Sequence, residues 1–248
     1  MEDNFLFEKE IRIFGLRRSG LHATYGWINR HFPKGTCMYQ DNTYFSFREK
    51  KTNMTEFDDK FKLLKNPRYY INIVEQQRLP DVANKLNNPN HTYNTEKKAI
   101  VDRYKKEYLS KKEYNIIVLR NPFSTLASTI LRKLDSKTFN DMWKAYAKEF
   151  IGITDYFDYK TLCLFDEWFS NIEYRKALSK SLDLKFSDKG LNTVLSRSSF
   201  DRWKFSDKAQ EMNVLDRWDQ LSPEVRKKYY HIIDEEIIDL WETVLKNT

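Results

Sequence analysis

Two short stretches of the chain gather the residue types that hold anions. In Ile11–Ile28 (IRIFGLRRSGLHATYGWI) an apolar run reaches Gly15, and Arg17, Arg18, Ser19 and Gly20 follow before helical spacing begins. In Asn115–Ile130 (NIIVLRNPFSTLASTI) Arg120 closes the apolar run and Ser128 comes eight residues later. A strand that feeds a helix through such a turn makes an anion site. The N–H groups of the first helical turn have no acceptor within the helix and point at the ligand. Arginine adds a permanent charge and a planar fork of donors. Two such turns in one chain suit a ligand with phosphates at both ends.

The first turn is defined as much by what it lacks. The phosphate loop of ATP and GTP enzymes reads G-x-x-x-x-G-K-S/T, with Lys on the β/γ-phosphates and the hydroxyl holding magnesium. Gly15 and Gly20 keep the four-residue separation, but Leu21 and His22 stand where Lys and Ser/Thr belong. The dinucleotide fingerprint G-x-G-x-x-G is absent too. A loop that grips an anion through arginine, without the lysine and metal ligand, fits sulfuryl transfer better than phosphoryl transfer from ATP.

The loop GLRRSGLHA resembles the 5′-phosphosulfate loop of sulfotransferases, in which Lys or Arg precedes S-G-T-T or a variant. VLRNPFSTLAS resembles their 3′-phosphate element, an Arg at a strand end with a Ser eight residues on. RSSFDRW (Arg197–Trp203) lies where that family has a C-terminal cofactor-binding segment, and RWDQLSPEVRKKYYHIIDEEIIDL resembles the final segment of many bacterial-type members. The resemblance covers most of the chain and is closest to a branch with R-R-S-G-x-H-A loops.

It implies 3′-phosphoadenosine 5′-phosphosulfate as donor, with no metal, and a P-loop-type fold. Arg18 aligns with the basic residue on the bridging oxygen, where it stabilises the leaving group. Arg17, Ser19, Gly20, Leu21, His22 and Ala23 supply the rest of the 5′ loop, Leu21 through its backbone because it replaces the usual Thr. Arg120 and Ser128 take the 3′-phosphate. Ser198 and Ser199 are further candidates there, although the family's basic pair and glycine are not reproduced. For the base the family uses a His or a carboxylate on a loop after an early strand. Asp41 is the first choice and Glu75, at the end of YYINIV, nearly as good; His22 lies near the sulfur but suits phosphate donation better.

With 248 residues the chain is long enough for one α/β domain with a good core, and 1–248 reads as a single unit. Lys plus Arg number 43 against 36 acidic residues, a net charge of +7 that suits an anionic donor. The charge is dispersed and no nucleic-acid motif accompanies it, so no specific nucleic acid is expected. Cys37 and Cys163 sit in apolar runs and read as buried free thiols. No secretory or membrane-length apolar run is visible, which makes a cytoplasmic location without a membrane span the default.

Periodicity predicts an alternating α/β order. Strands are expected at Ile11–Phe14, Thr36–Tyr39, Tyr69–Val74, Asn115–Leu119 and Lys160–Phe165. Helices are expected at Gly20–Phe32, Glu56–Lys65, Ile100–Leu109, Pro122–Leu134, Phe139–Tyr156 and Tyr174–Leu182, with one long helix at Ser222–Leu245. The Asn-rich Asn84–Lys98 reads as a loop, and His231 as a packed residue of the terminal helix. Buried strands separated by helices favour a doubly wound, mostly parallel sheet, with its ligand at the carboxyl ends of the strands. The best-fitting activity is transfer of a sulfuryl group to a hydroxyl or amine of a small-molecule or glycan acceptor. A P-loop small-molecule kinase and a non-catalytic nucleotide-binding protein of the same fold are the alternatives.

Overall fold

Five apolar runs become the strands of one sheet, ordered β2-β3-β1-β4-β5. They are β1 (Phe5–Gly15), β2 (Cys37–Asp41), β3 (Tyr69–Glu75), β4 (Tyr108–Leu119) and β5 (Thr161–Leu164). Every pairing is parallel. The computed structural model describes residues 4–41, 67–75, 78–88, 92–132, 138–192 and 208–248, with Lys62, Leu64 and Phe205 as single positions. The expected helix at Glu56–Lys65 lies almost wholly outside the described residues.

Parallel strands require crossovers, and these supply the helices on both faces. They are α1 (Leu21–Asn29), α2 (Leu79–Asn87), α3 (Thr92–Arg103), α4 (Pro122–Leu131), α5 (Phe139–Phe150), α6 (Phe165–Ser170) and α7 (Ile172–Ser181). After these come α8 (Pro223–Tyr229) and α9 (Glu235–Lys246). Alternate strand residues feed two cores. Ile11, Ile13, Ile71 and Val118 pack on Trp27 of α1 and Trp168 of α6, while Phe14, Val74 and Leu119 pack on Trp143 and Tyr146 of α5. No helix among the described residues is long and apolar enough to cross a membrane.

The register brings the strand ends level. Gly15 pairs with Glu75 on one side and Val118 on the other, and Leu119 pairs with Leu164. The turns that follow β1, β3, β4 and β5 therefore meet at one edge of the sheet. Farther down the strands, Glu10 and Arg12 are buried side by side. Arg12 and Lys97 both pair with Glu113, and Lys97 also reaches Glu10 at 3.6 Å.

Several expected elements change. The segment expected as a loop at Asn84–Lys98 carries the end of α2 and the start of α3, because Leu79, Val82, Ile100 and Val101 anchor the two helices in the core. The expected helix Ile100–Leu109 stops at Arg103, and β4 already starts at Tyr108. Phe139–Tyr156 stops at Phe150. Ser222–Leu245 is two helices, since Asp234 accepts a hydrogen bond from the Ile237 N–H (3.0 Å) and caps a new one. His231 is exposed in the 3₁₀ turn between them rather than packed. Cys163 is buried but Cys37 only partly so, and both are free thiols pushed up to about 12 by burial.

Candidate functional site

Gly15 is required by close approach rather than by its dihedrals. A Cβ there would lie 2.7 Å from Leu21 Cδ2 and 2.8 Å from Ser19 Oγ. The loop turns back at once: the Ser19 N–H and hydroxyl both donate to the Leu16 carbonyl, at 3.1 and 2.8 Å. Arg18 adopts φ 70° and Gly20 φ 102°, the left-handed region. For Arg18 that conformation costs on the order of 1 kcal/mol, and such strain concentrates at ligand sites. Gly20 caps α1 with its backbone alone; its carbonyl accepts from the Ala23 and Thr24 N–H groups at 3.0 Å each. The first N–H groups of a helix have no acceptor within it, the arrangement that holds anions.

The second turn is built differently. Asn121 caps α4 by accepting from the Ser124 N–H at 3.1 Å, and Pro122 takes the first helical position. Arg120 is 5 % exposed. Its Nη1 donates to the Arg18 carbonyl at 2.8 Å, and its Nη2 donates to the Val214 carbonyl. Its Nε is buried with no hydrogen-bond partner among the described residues. Trp143 Nε1 donates to the Arg120 carbonyl at 3.0 Å, which fixes the backbone. Ser128 is buried one turn beyond Ser124 on the same helical face, and Ser124 donates to the Leu215 carbonyl.

Phe165, the first residue of α6, is the wall the two turns share. A Cβ on Gly20 would come within 2.1 Å of its Cδ2, and the Arg120 guanidinium lies 4.9 Å from its ring centroid. An apolar wall strengthens the field of nearby charges. Burial, opposed by Asp166 and reinforced by Arg217 and Arg18, brings the Arg120 guanidinium down to about 10. Burial also lowers Arg18, with Arg132 and Arg217 adding to the effect and Glu75 opposing it. Asp166 accepts from the Asn121 N–H at 2.9 Å; burial raises its carboxyl despite Arg120.

The other sequence-derived candidates take distinct places. Arg17 is exposed, and its Nε donates to Glu75 Oε2 at 3.2 Å. Glu75 thus stands one strand from the loop, within the field of Arg18 and of the buried Tyr146. Asp41 ends β2 opposite Ile73, on the edge strand, about 10 Å from β1 by strand spacing. Its side chain lies outside the described part. Leu21 is buried, so only its backbone faces the loop, while His22 and Ala23 are half-buried in the first turn of α1. Ser198 and Ser199 lie outside the described residues. Sequence reasoning did not single out Arg217, Phe165 or Asp166. Arg217 belongs to the quoted RWDQLSP stretch, but nothing in its spacing marks it.

No protein-family model matches the sequence, and no curated protein matches it. Among solved structures the chain is similar to the sulfotransferase domain of the Synechococcus PCC 7002 olefin synthase. The TM-score is 0.54 at 12 % identity, covering 96 % of this chain and 94 % of that one. The shared property is the fold.

Proposed function

We propose that the protein is a sulfotransferase that moves a sulfuryl group from 3′-phosphoadenosine 5′-phosphosulfate to a hydroxyl or amine of a small-molecule or glycan acceptor. The observation that carries the proposal is the hydrogen bond from Arg120 to the Arg18 carbonyl, which puts the two anion turns side by side at one sheet edge. The residues present fit such a donor. The close approach at Gly15 leaves room for a backbone cradle, and the buried Nε of Arg120 awaits an acceptor. The donor supplies an activated sulfuryl group. The loop 16–20 and the start of α1 hold its 5′ end, and Arg120 with Ser128 holds the 3′-phosphate.

In the transfer, a bond forms from the acceptor oxygen or nitrogen to sulfur. The bond from sulfur to the bridging phosphate oxygen breaks, and its electron pair stays on that oxygen. Arg18 stabilises this growing charge. Glu75 removes the acceptor proton, and Arg17 beside it orients the carboxylate. Its position one strand from the loop favours Glu75 over Asp41.

Calorimetry with 3′-phosphoadenosine 5′-phosphate, without magnesium, tests the binding half. Radiolabelled sulfate transfer over a panel of acceptors tests the chemistry. Micromolar or tighter binding of that nucleotide is expected. Failure to bind it, together with magnesium-dependent binding of ATP, would place the chain among small-molecule kinases instead.

A further inference from the structure

The peptide that joins Arg120 to Asn121 is held at both of its polar ends by side chains from other elements. Trp143 of α5 donates to its carbonyl at 3.0 Å, and Asp166 of α6 accepts from its N–H at 2.9 Å. Turning that peptide plane would break both bonds and leave its polar groups unpaired. The Arg120 side chain leaves from the backbone so fixed, and its guanidinium lies 4.9 Å from the ring centroid of Phe165, the residue before Asp166. Asp166 is steadied in turn. Leu119 pairs with Leu164, and the Leu164 N–H donates to the Tyr174 hydroxyl at 2.8 Å, which pins the end of β5 just before Asp166.

The carboxylate also decides what the start of α4 can offer an anion. The Asn121 N–H is taken by Asp166, the Ser124 N–H by the Asn121 side chain at 3.1 Å, and Pro122 has none. Three of the four positions 121–124 therefore present no free donor, unlike an open helix start. A negative charge at that end weighs further against an anion settling on it. Anion binding at this turn falls to side chains, with Arg120 first among them.

We propose that Asp166 is a positioning residue: by holding the Asn121 N–H it aims the Arg120 guanidinium at the nucleotide and closes the start of α4 to anions. This rests on the sulfotransferase reading and deepens it, adding a residue that acts on the ligand only through the turn it fixes.

The test compares 3′-phosphoadenosine 5′-phosphate with adenosine 5′-monophosphate, which lacks the 3′-phosphate, by calorimetry on the full chain. Wild type should prefer the bisphosphate. Asp166→Ala should shrink that preference about tenfold, with the monophosphate nearly unaffected. Asp166→Asn keeps a carbonyl acceptor at the same reach and should hold the preference within about threefold. Asp166→Glu keeps the charge but carries it one methylene farther, and should lose the preference as alanine does. Glu167→Gln, at the neighbouring carboxylate that accepts from Asn171 Nδ2 at 3.1 Å, should leave it intact.

An unchanged preference in Asp166→Ala, or equal loss for both nucleotides, overturns the positioning role and leaves the sulfotransferase reading standing. So does a preference kept in Asp166→Glu and lost in Asp166→Asn, which would make charge rather than the bond the cause. A wild-type protein that binds neither nucleotide, or both equally, removes the sulfotransferase reading and this role with it. Should Asp166→Ala fail to fold, the other two variants decide alone: only a preference kept with asparagine and lost with glutamate upholds the proposal.

Discussion

The guanidinium of Arg120 donates to the backbone carbonyl of Arg18 across 2.8 Å, although the two residues end different strands. The contact makes the shape of the first loop depend on the second turn. Arg18 holds a left-handed φ of 70°, which a free loop would relax. Arg120 also reaches Val214, so a single side chain joins the β1 loop, the β4 turn and the C-terminal segment. On the proposed reading, this coupling, rather than either turn alone, presents two positive groups to one donor.

Arg120→Lys separates charge from geometry. Lysine keeps the charge but has no planar fork to reach two carbonyls at once. The variant should bind 3′-phosphoadenosine 5′-phosphate at least about tenfold more weakly and melt lower than wild type. Calorimetry and thermal melting check both. Wild-type affinity in Arg120→Lys would show that charge suffices and that the bridging geometry is idle.

Arg18 and Glu75 should act on turnover more than on binding. Arg18→Ala should lower kcat by about 10²–10³, the usual cost of removing a donor that meets charge only in the transition state. Glu75→Gln should lower kcat by about 10²–10⁴. Asp41→Asn serves as the comparison. If Asp41→Asn loses turnover and Glu75→Gln keeps it, the base is the edge-strand carboxylate.

Much of this was legible in the sequence where two signals coincided. The first and fourth strands end in apolar runs followed at once by turn residues, and Pro122 behind the Asn121 cap marks the start of α4. The helix α2 and the first part of α3 were hidden because the Asn-rich run between their anchors carries no apolar period. Their anchors, Leu79, Val82, Ile100 and Val101, become visible only when the core they enter is known. The break between α8 and α9 had a readable sign, Asp234 before two glutamates, but the surrounding apolar spacing runs straight through it. The amino-terminal half of β4 reads as polar because Tyr108, Lys111, Lys112 and Glu113 are exposed. At the site, Arg18 and Arg120 were marked by their turns. Arg217, whose charge acts on both, carries no local signal.

Gly20 and Gly35 separate backbone strain from close packing. Both have positive φ, 102° and 80°, but a Cβ on Gly20 meets Phe165 at 2.1 Å while one on Gly35 meets nothing within 4 Å. Gly35→Ala should cost about 1 kcal/mol, the dihedral penalty alone. Gly20→Ala should cost about 2–4 kcal/mol, because Phe165 must move as well. It should also weaken nucleotide binding, since the same ring backs Arg120. Denaturant titrations of the two variants compare the terms directly; equal losses would mean that Phe165 yields freely.

The charged cluster under the sheet predicts how stability follows acidity. Burial alone would raise the Glu113 carboxyl, but Arg12 and Lys97 outweigh it and hold it below its ordinary value of 4.5. A carboxyl lowered by folding contributes stability that is complete above 4.5 and is lost as pH falls through the folded-state value. Glu113→Gln removes that contribution at neutral pH. The variant should be less stable than wild type at pH 7 by about 1–2 kcal/mol, a figure reduced for the partial exposure of the side chain. The difference should close as both proteins are acidified. Urea midpoints measured from neutral to strongly acidic buffer check the slope. Parallel curves for the two proteins would assign the acid response to other carboxylates and leave Glu113 a bystander.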